Sequence, residues 1–442
     1  MKYSLSSSFA RLALAFMLAV FVLVAVGRLV TVTGAAALCS GWPLCTPTVP
    51  LGWLQLLHRF LVAVASVLVI ILFRKAWREQ RNETVILPLT TVTTVLFFGQ
   101  AFVGSMEVTH NFPIHLAILH GLTASALLIS LALLTFVSGV IGKDPASVPA
   151  LDWRQRLRDF FTLTKPLIVG LLLVTTYAGL VAGGKAWPSF GLAFWTMLGG
   201  ALAAGGSSAL NQYIDRELDK NMQRTSRRPL AAERLTAAEG LSFGLALCLT
   251  SYYILAGFVN LLAALLSLTG IFYYVFFYSV WLKKATVQNI VIGGGAGAIP
   301  PMVGWAAATG SLNWAAWILF AIVFMWTPPH FWALAIVRQK DYEKAGVPML
   351  PVVRGEEETR RQILLYTFVL VAVTLLLPLL KMAGALYLVS AILLGLALIY
   401  AAWRLWRVPG NKVAWRMYRW SSIYLAFIFL ALMLDAVFYR AL

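Results

Sequence analysis

The stretch Asn211-Gln-Tyr-Ile-Asp215-Arg-Glu-Leu-Asp219 sets three polar side chains four residues apart. In a helix such positions share one face, so Asn211, Asp215 and Asp219 form a polar stripe about three turns long. The stripe closes an apolar run, where gathered carboxylates are costly unless something neutralises them. Hard divalent cations do this, and Mg²⁺ commonly joins one or two carboxylates to substrate phosphates. Asp215 and Asp219 are therefore the expected Mg²⁺ ligands. Past them come Arg224, Arg227 and Arg228 before Pro229, cations suited to phosphate oxygens. Most charge runs are solvated loops; a carboxylate stripe followed by arginines at a membrane surface points instead to a diphosphate site.

Two more polar stretches fall on the same side by the topology below. One starts at Arg338 and carries Asp341-Tyr342 and Gly346-Val-Pro-Met-Leu-Pro351; the other is Lys283-Lys284-Ala-Thr286-Val-Gln-Asn289. Together they suggest two acidic elements closing on one diphosphate, with Lys284 and Asn289 adding a cation and an amide. A separate pair, His58 and His120, falls near the outer ends of two neighbouring apolar runs. Imidazoles at one depth on adjacent helices can ligate a heme iron from both axial sides. Cys39 and Cys45 share the outer loop above them, where a disulfide can persist. His110 and His115 have no matching partner and read as incidental.

These residues need a membrane scaffold. The chain is 60% hydrophobic and 12% charged, with a mean hydropathy of +0.82, more apolar surface than a soluble core can hide. Runs of about 20 apolar residues predict an all-α polytopic protein with about thirteen spans. The first four lie at about 9–31, 54–73, 84–105 and 114–141. Nine more lie at about 166–184, 189–210, 239–258, 261–281, 288–308, 314–336, 363–380, 384–403 and 420–439. Lys and Arg, the source of the +18 net charge, fall mostly in every second loop, apart from Lys185 and Lys381. That alternation puts the N-terminus in the cytoplasm and the C-terminus outside, and argues against a nucleic-acid partner. The run from Phe9 has no small-residue cleavage site and reads as a retained span. Three cysteines make no disulfide framework, and Cys248 reads as helix core.

The chain divides at 142–165. Gly142, Asp144, Pro145 and Pro149 open a linker; Leu151, Trp153, Leu157, Phe160 and Phe161 then alternate with arginines as a short interfacial helix. A four-helix module (1–141) precedes the linker and a nine-helix module (166–442) follows it.

In the longer module the stripe, the Met222-to-Leu230 run M-x-R-T-x-x-R-P-L and the nine spans resemble the UbiA superfamily of intramembrane prenyltransferases. Three stretches resemble its protoheme IX farnesyltransferase (heme O synthase) branch: Gln288 to Trp305, Trp326-Thr-Pro-Pro-His-Phe-Trp-Ala-Leu-Ala335, and Asp341 to Pro351. Lys165-Pro166 matches the family's entry into its first helix. The second motif has one aspartate, with Ala345 in the second place, which is this branch's own pattern. The resemblance implies farnesyl transfer from farnesyl diphosphate to a vinyl group of heme b (protoheme IX). Asn211, Asp215, Asp219 and Asp341 would be catalytic, and Arg224, Arg228, Lys284, Asn289, His330 and Tyr342 would bind substrate. His330 could meet the heme iron or a propionate, or be a structural histidine. Gly293, Gly294, Gly295 and Gly297 could admit a flat substrate or simply pack helices. A quinone- or chlorophyll-type prenyltransferase is the alternative, disfavoured by the W-T-P-P-H-F-W run.

Thr33-Gly34, Cys39 to Cys45, His58-Arg59 and His120 to Ala124 resemble one half of heme A synthase, a family with two such four-helix halves. The resemblance implies heme b held by His58 and His120, and oxidation of heme O toward heme A. That family tends to carry a glutamate three residues before the first histidine; here Gln55 stands there. A membrane heme-binding or electron-transfer protein with an inactive transferase module is the other alternative. A second copy could pair through the four-helix module to restore the missing half. The expected setting is a prokaryotic plasma membrane, with its lipid as solvent.

Overall fold

Inside a bilayer every backbone N–H must find its acceptor within the segment, so long apolar runs become helices. The computed structural model describes residues 7–39, 41–141, 152–223 and 225–438, leaving the Lys284 side chain aside. Gly142, Asp144, Pro145, Pro149 and Leu151 of the expected linker lie outside the described residues. Among the described residues all regular elements are helical, and thirteen helices are long and apolar enough to cross a membrane.

The first four are α1 (Ser8–Val32), α2 (Gly52–Glu79), α3 (Ile86–Thr109) and α4 (Ile114–Ile141). The expected interfacial helix is α5 (Trp153–Leu163), with Trp153, Leu157 and Phe161 exposed at a spacing of four. Then come α6 (Pro166–Gly184), α7 (Phe190–Lys220), α8 (Ala237–Phe258) and α9 (Leu261–Phe272). The α9 helix continues through a π-helical stretch (Tyr273–Leu282) into a last turn, α10 (Lys283–Ala285). The chain ends with α11 (Asn289–Thr309), α12 (Trp314–Val337), the short α13 (Gln339–Lys344) and α14 (Leu350–Val353), α15 (Gly355–Leu379), α16 (Ala385–Arg407) and α17 (Asn411–Phe438).

Two compact units result: Met1–Arg158 with Leu235–Tyr253, and Asp159–Arg234 with Ile254–Leu442. This grouping differs from the expected division, because Leu235–Tyr253 joins the first unit. Polar contacts give the reason. Thr236 and Glu239 form a capping box at the start of α8, each side chain accepting from the other's backbone N–H at 3.1 and 2.9 Å. The Thr236 hydroxyl also donates to the Arg81 carbonyl at 2.6 Å. Glu239, wholly buried, pairs with both Arg81 and Arg156. An apolar core of Phe16, Val20, Leu72, Phe97 and Leu131 closes around Ala238 in the same unit.

In the second unit α11 is the most enclosed span, packed on α6, α9 and α12. A Cβ on Gly304 would stand 1.8 Å from the Thr176 carbonyl oxygen, so only glycine lets α6 and α11 approach backbone to backbone.

Candidate active site

The α7 helix runs unbroken through Lys220, so the stripe keeps helical spacing to its end. Asn211, Asp215 and Asp219 are all buried. The Asn211 amide donates to Asp215 Oδ2 at 2.8 Å and to the Ser279 hydroxyl at 3.0 Å. Lys283 Nζ meets the same Asp215 oxygen at 2.5 Å, and Arg228 meets Asp219 Oδ2 at 2.7 Å. Lys165 donates to Asn211 Oδ1 at 3.2 Å. Burial, and then Arg228, bring the Lys165 ammonium down to about 7 against the pull of Asp219 and Asp215.

Local folding supplies each partner. Pro166 starts α6 with Lys165 at left-handed φ 50°, turned back toward the stripe. Ser208 and Gln212 both donate to the Leu163 carbonyl at 2.8 Å, tying the end of α5 to α7. The π-helical stretch widens the last turns of the span, and such turns often mark functional sites. Within it the Ser279 hydroxyl donates to the Tyr274 carbonyl at 2.9 Å while accepting from Asn211. Lys283 follows directly. None of Lys165, Ser279 and Lys283 is assigned to the site from sequence; Lys165 is marked only by the Lys165-Pro166 match, Lys283 only beside Lys284, and Ser279 not at all.

Asp341 reaches the same end of the unit. With Lys344 it lines a cleft of about 270 Å³ whose other wall is Asn221, Met222 and Gln223, just past the stripe. Arg338 stands 4.0 Å from its carboxylate. Tyr342 packs on the buried apolar cluster. Asn289 is buried at the start of α11; its amide donates to the Lys283 carbonyl at 3.4 Å and its Oδ1 has no partner among the described residues. Arg224 lies outside the described residues, as does the side chain of Lys284.

The arrangement fits a divalent cation carrying phosphate. No three His, Cys, Asp or Glu side chains among the described residues group as metal ligands. Substrate oxygens would complete the shell, as Mg²⁺ favours. In both aspartates Oδ2 takes all the bonds, leaving Oδ1 without a hydrogen bond among the described residues.

His330 is buried between two rings, Trp326 at 4.2 Å and Tyr418 at 4.4 Å between centroids, and its Nδ1 lies 2.8 Å from the Ser421 hydroxyl. Among the glycines of α11, Gly293, Gly294 and Gly295 are filled by Tyr278, Thr327 and Tyr273, which is helix packing. Gly297 faces open space.

The first unit holds the second candidate site. His58 on α2 abuts Gly27 of α1, and His120 on α4 abuts Gly104 of α3; an added Cβ would meet the ring carbons at 2.9 and 2.7 Å. The Nδ1 atoms of both rings are buried and have no hydrogen-bond partner among the described residues, while the Leu23 backbone is within hydrogen-bonding reach of the His58 ring. Two imidazoles on facing helix pairs, their Nδ1 atoms without partners among the described residues, fit axial heme ligands, which neutral histidines provide. Gln55 is buried one turn before His58, its Oε1 unpartnered among the described residues. Cys39 and Cys45 are disulfide-bonded, with Cα atoms 5.5 Å apart. Arg59 holds that loop through the carbonyls of Cys39, Gly41 and Pro43 at 2.8, 2.5 and 3.1 Å.

Residues 172–428 match the UbiA prenyltransferase family, and residues 50–132 match a family described as cytochrome oxidase assembly protein. The protoheme IX farnesyltransferase of Roseiflexus castenholzii is 43% identical over 454 residues, covering 98% of this chain and 85% of that one. The protoheme IX farnesyltransferase of Gloeobacter violaceus is 50% identical over 300 residues, 68% of this chain and 98% of its own. Among solved structures, one from work on digeranylgeranylglyceryl phosphate synthase has a TM-score of 0.55 at 17% identity, covering 64% of this chain and 99% of that one. A UbiA homolog from Aeropyrum pernix K1 has a TM-score of 0.51 at 18% identity, covering 60% and 97%. At such identities the two structures speak to the fold alone.

Proposed function

The chain belongs to the UbiA prenyltransferase family, and on that premise we propose that it transfers a farnesyl group from farnesyl diphosphate to a vinyl group of heme b, making heme O. The observation that carries this reading is the Asp215–Asp219 pair on one face of α7, both carboxylates buried, Asp215 ion-paired with Lys283 and Asp219 with Arg228. The identity to protoheme IX farnesyltransferases along nearly the whole chain supports heme b as the acceptor.

Mg²⁺ would be held by Asp215 and Asp219 with Asn211 and Asp341 assisting, and would neutralise charge on the diphosphate. Arg228, Arg224, Lys283 and Lys284 offer donors to the leaving diphosphate as negative charge grows on it. Lys165 and Asn289 close the polar end of the site. The apolar helices beyond keep water from the allylic cation.

The N-terminal module would bind heme b through His58 and His120, the iron supplying one-electron chemistry when present. Gln55, an amide that cannot act as a general base, stands where the related family tends to carry a glutamate, which favours heme handling over oxidation of heme O toward heme A. The protein would lie in a prokaryotic cell membrane, N-terminus inside, as the alternating loop charges suggest.

Heme extraction from cells expressing the wild type and Asp215→Ala tests the transferase reading. Heme O is expected only with the wild type. Equal heme profiles would instead favour a heme-binding protein with an inactive transferase module.

A further inference from the structure

Ser421 has one hydroxyl proton, and it is used: Oγ donates to the Tyr418 carbonyl at 2.7 Å. Toward His330 the same oxygen must therefore accept, at 2.8 Å, so His330 carries its proton on Nδ1. The lone pair is left on Nε2, which has no hydrogen-bond partner among the described residues. Trp326 holds this arrangement from its other side, its indole N–H donating to the Ser421 carbonyl at 2.7 Å.

The position is right for chemistry at the diphosphate end. Consecutive spans α11 and α12 run antiparallel, and Gly294 abuts Thr327. His330 lies one turn, about 4.5 Å, from Thr327 toward that end, while Asn289 lies about 7.5 Å from Gly294 in the same direction. His330 is thus within about 3 Å of the level of Asn289, whose amide binds the Lys283 carbonyl.

Resting on the heme O reading, we propose that His330 Nε2 is the proton acceptor for the water that completes the reaction. Farnesyl diphosphate loses its C1–oxygen bond, and diphosphate leaves. The outer vinyl carbon of heme b bonds to C1, leaving a cation on the inner vinyl carbon. Water adds there through its oxygen, one of its protons passes to Nε2, and His330 releases it to bulk water on turnover. The product is the hydroxyethylfarnesyl side chain. Trp326 and Tyr418, stacked on both faces of the imidazole, stabilise the imidazolium formed. Those two larger rings leave the Nε2 edge to a small molecule rather than to a porphyrin plane.

The test uses the full chain in detergent with heme b, farnesyl diphosphate and Mg²⁺, and mass spectrometry of the hemes. It counts the hydroxyethylfarnesyl product against its alkene counterpart, lighter by one water. In His330→Gln the hydrated-to-alkene ratio should fall by about 10²-fold, a usual general-base contribution, with the hydrated product lost more than the alkene. Free imidazole should restore the hydrated product to His330→Ala, by filling the slot between the two rings. Ser421→Ala, which loses the tautomer control, should shift the ratio the same way but less. An unchanged ratio in His330→Gln, or an equal fall of both products, overturns the assignment. A wild type making no farnesylated heme would overturn the transferase reading with it.

Discussion

Lys283 Nζ and Asp215 Oδ2 stand 2.5 Å apart, joining the last turn of one span to the carboxylate stripe of another. Lys283 follows the π-helical stretch whose Ser279 accepts from Asn211, so one irregular segment delivers both contacts. Breaking a buried pair from one side costs about 3–5 kcal/mol at full burial. Because Lys283 is partly exposed, Lys283→Ala should lose less in stability than that. Its farnesyl transfer should fall by about 10²-fold, the scale of one lost charge-stabilising donor; steady-state diphosphate release measures it.

Arg228 neutralises Asp219 and, in the proposed reading, would also donate to the diphosphate. Arg228→Ala should lower turnover by roughly 10²- to 10³-fold, and Arg228→Lys should recover only part of it, since lysine lacks the planar fork. Full activity in Arg228→Ala would remove this residue from the diphosphate site.

In the first unit, heme binding is predicted to depend on both imidazoles. His58→Ala and His120→Ala should each lose low-spin heme absorbance, and an unchanged spectrum would exclude that residue as a ligand.

The glycines behind those rings give a finer check. Gly27→Ala and Gly104→Ala place a methyl at 2.9 and 2.7 Å from a ring carbon, which the ring must yield to. Weaker heme retention is expected from each, with farnesyl transfer unchanged; spectra and heme extraction from the same preparations separate the two effects.

Glu239 is the keystone of the first unit's polar contacts. Glu239→Ala leaves Arg81 and Arg156 without their shared carboxylate and should destabilise the protein by about 3–5 kcal/mol. Thr236→Ala, removing the cap and the hydroxyl's bond to the Arg81 carbonyl, should lose less, about 1–2 kcal/mol. Thermal unfolding in detergent ranks them; equal midpoints for Glu239→Ala and wild type would refute the ion-pair account.

Local pattern determined much of this protein. Apolar run length marks the thirteen spans, and a spacing of four puts Asn211, Asp215 and Asp219 on one face, because helix geometry depends only on neighbours along the chain. The His58 and His120 pair was legible for the same reason, from depth along two runs. Pairing between helices has no such period. Only the tertiary structure sets Lys165 and Lys283 on the stripe, orders His330 between Trp326 and Tyr418, and seats each heme-type histidine on a glycine. It also groups Leu235–Tyr253 with the first unit, although the sequence places that stretch within the longer module. A buried charge settles wherever packing brings its counter-charge, and for Glu239 that meant Arg81, distant in sequence and adjacent in space.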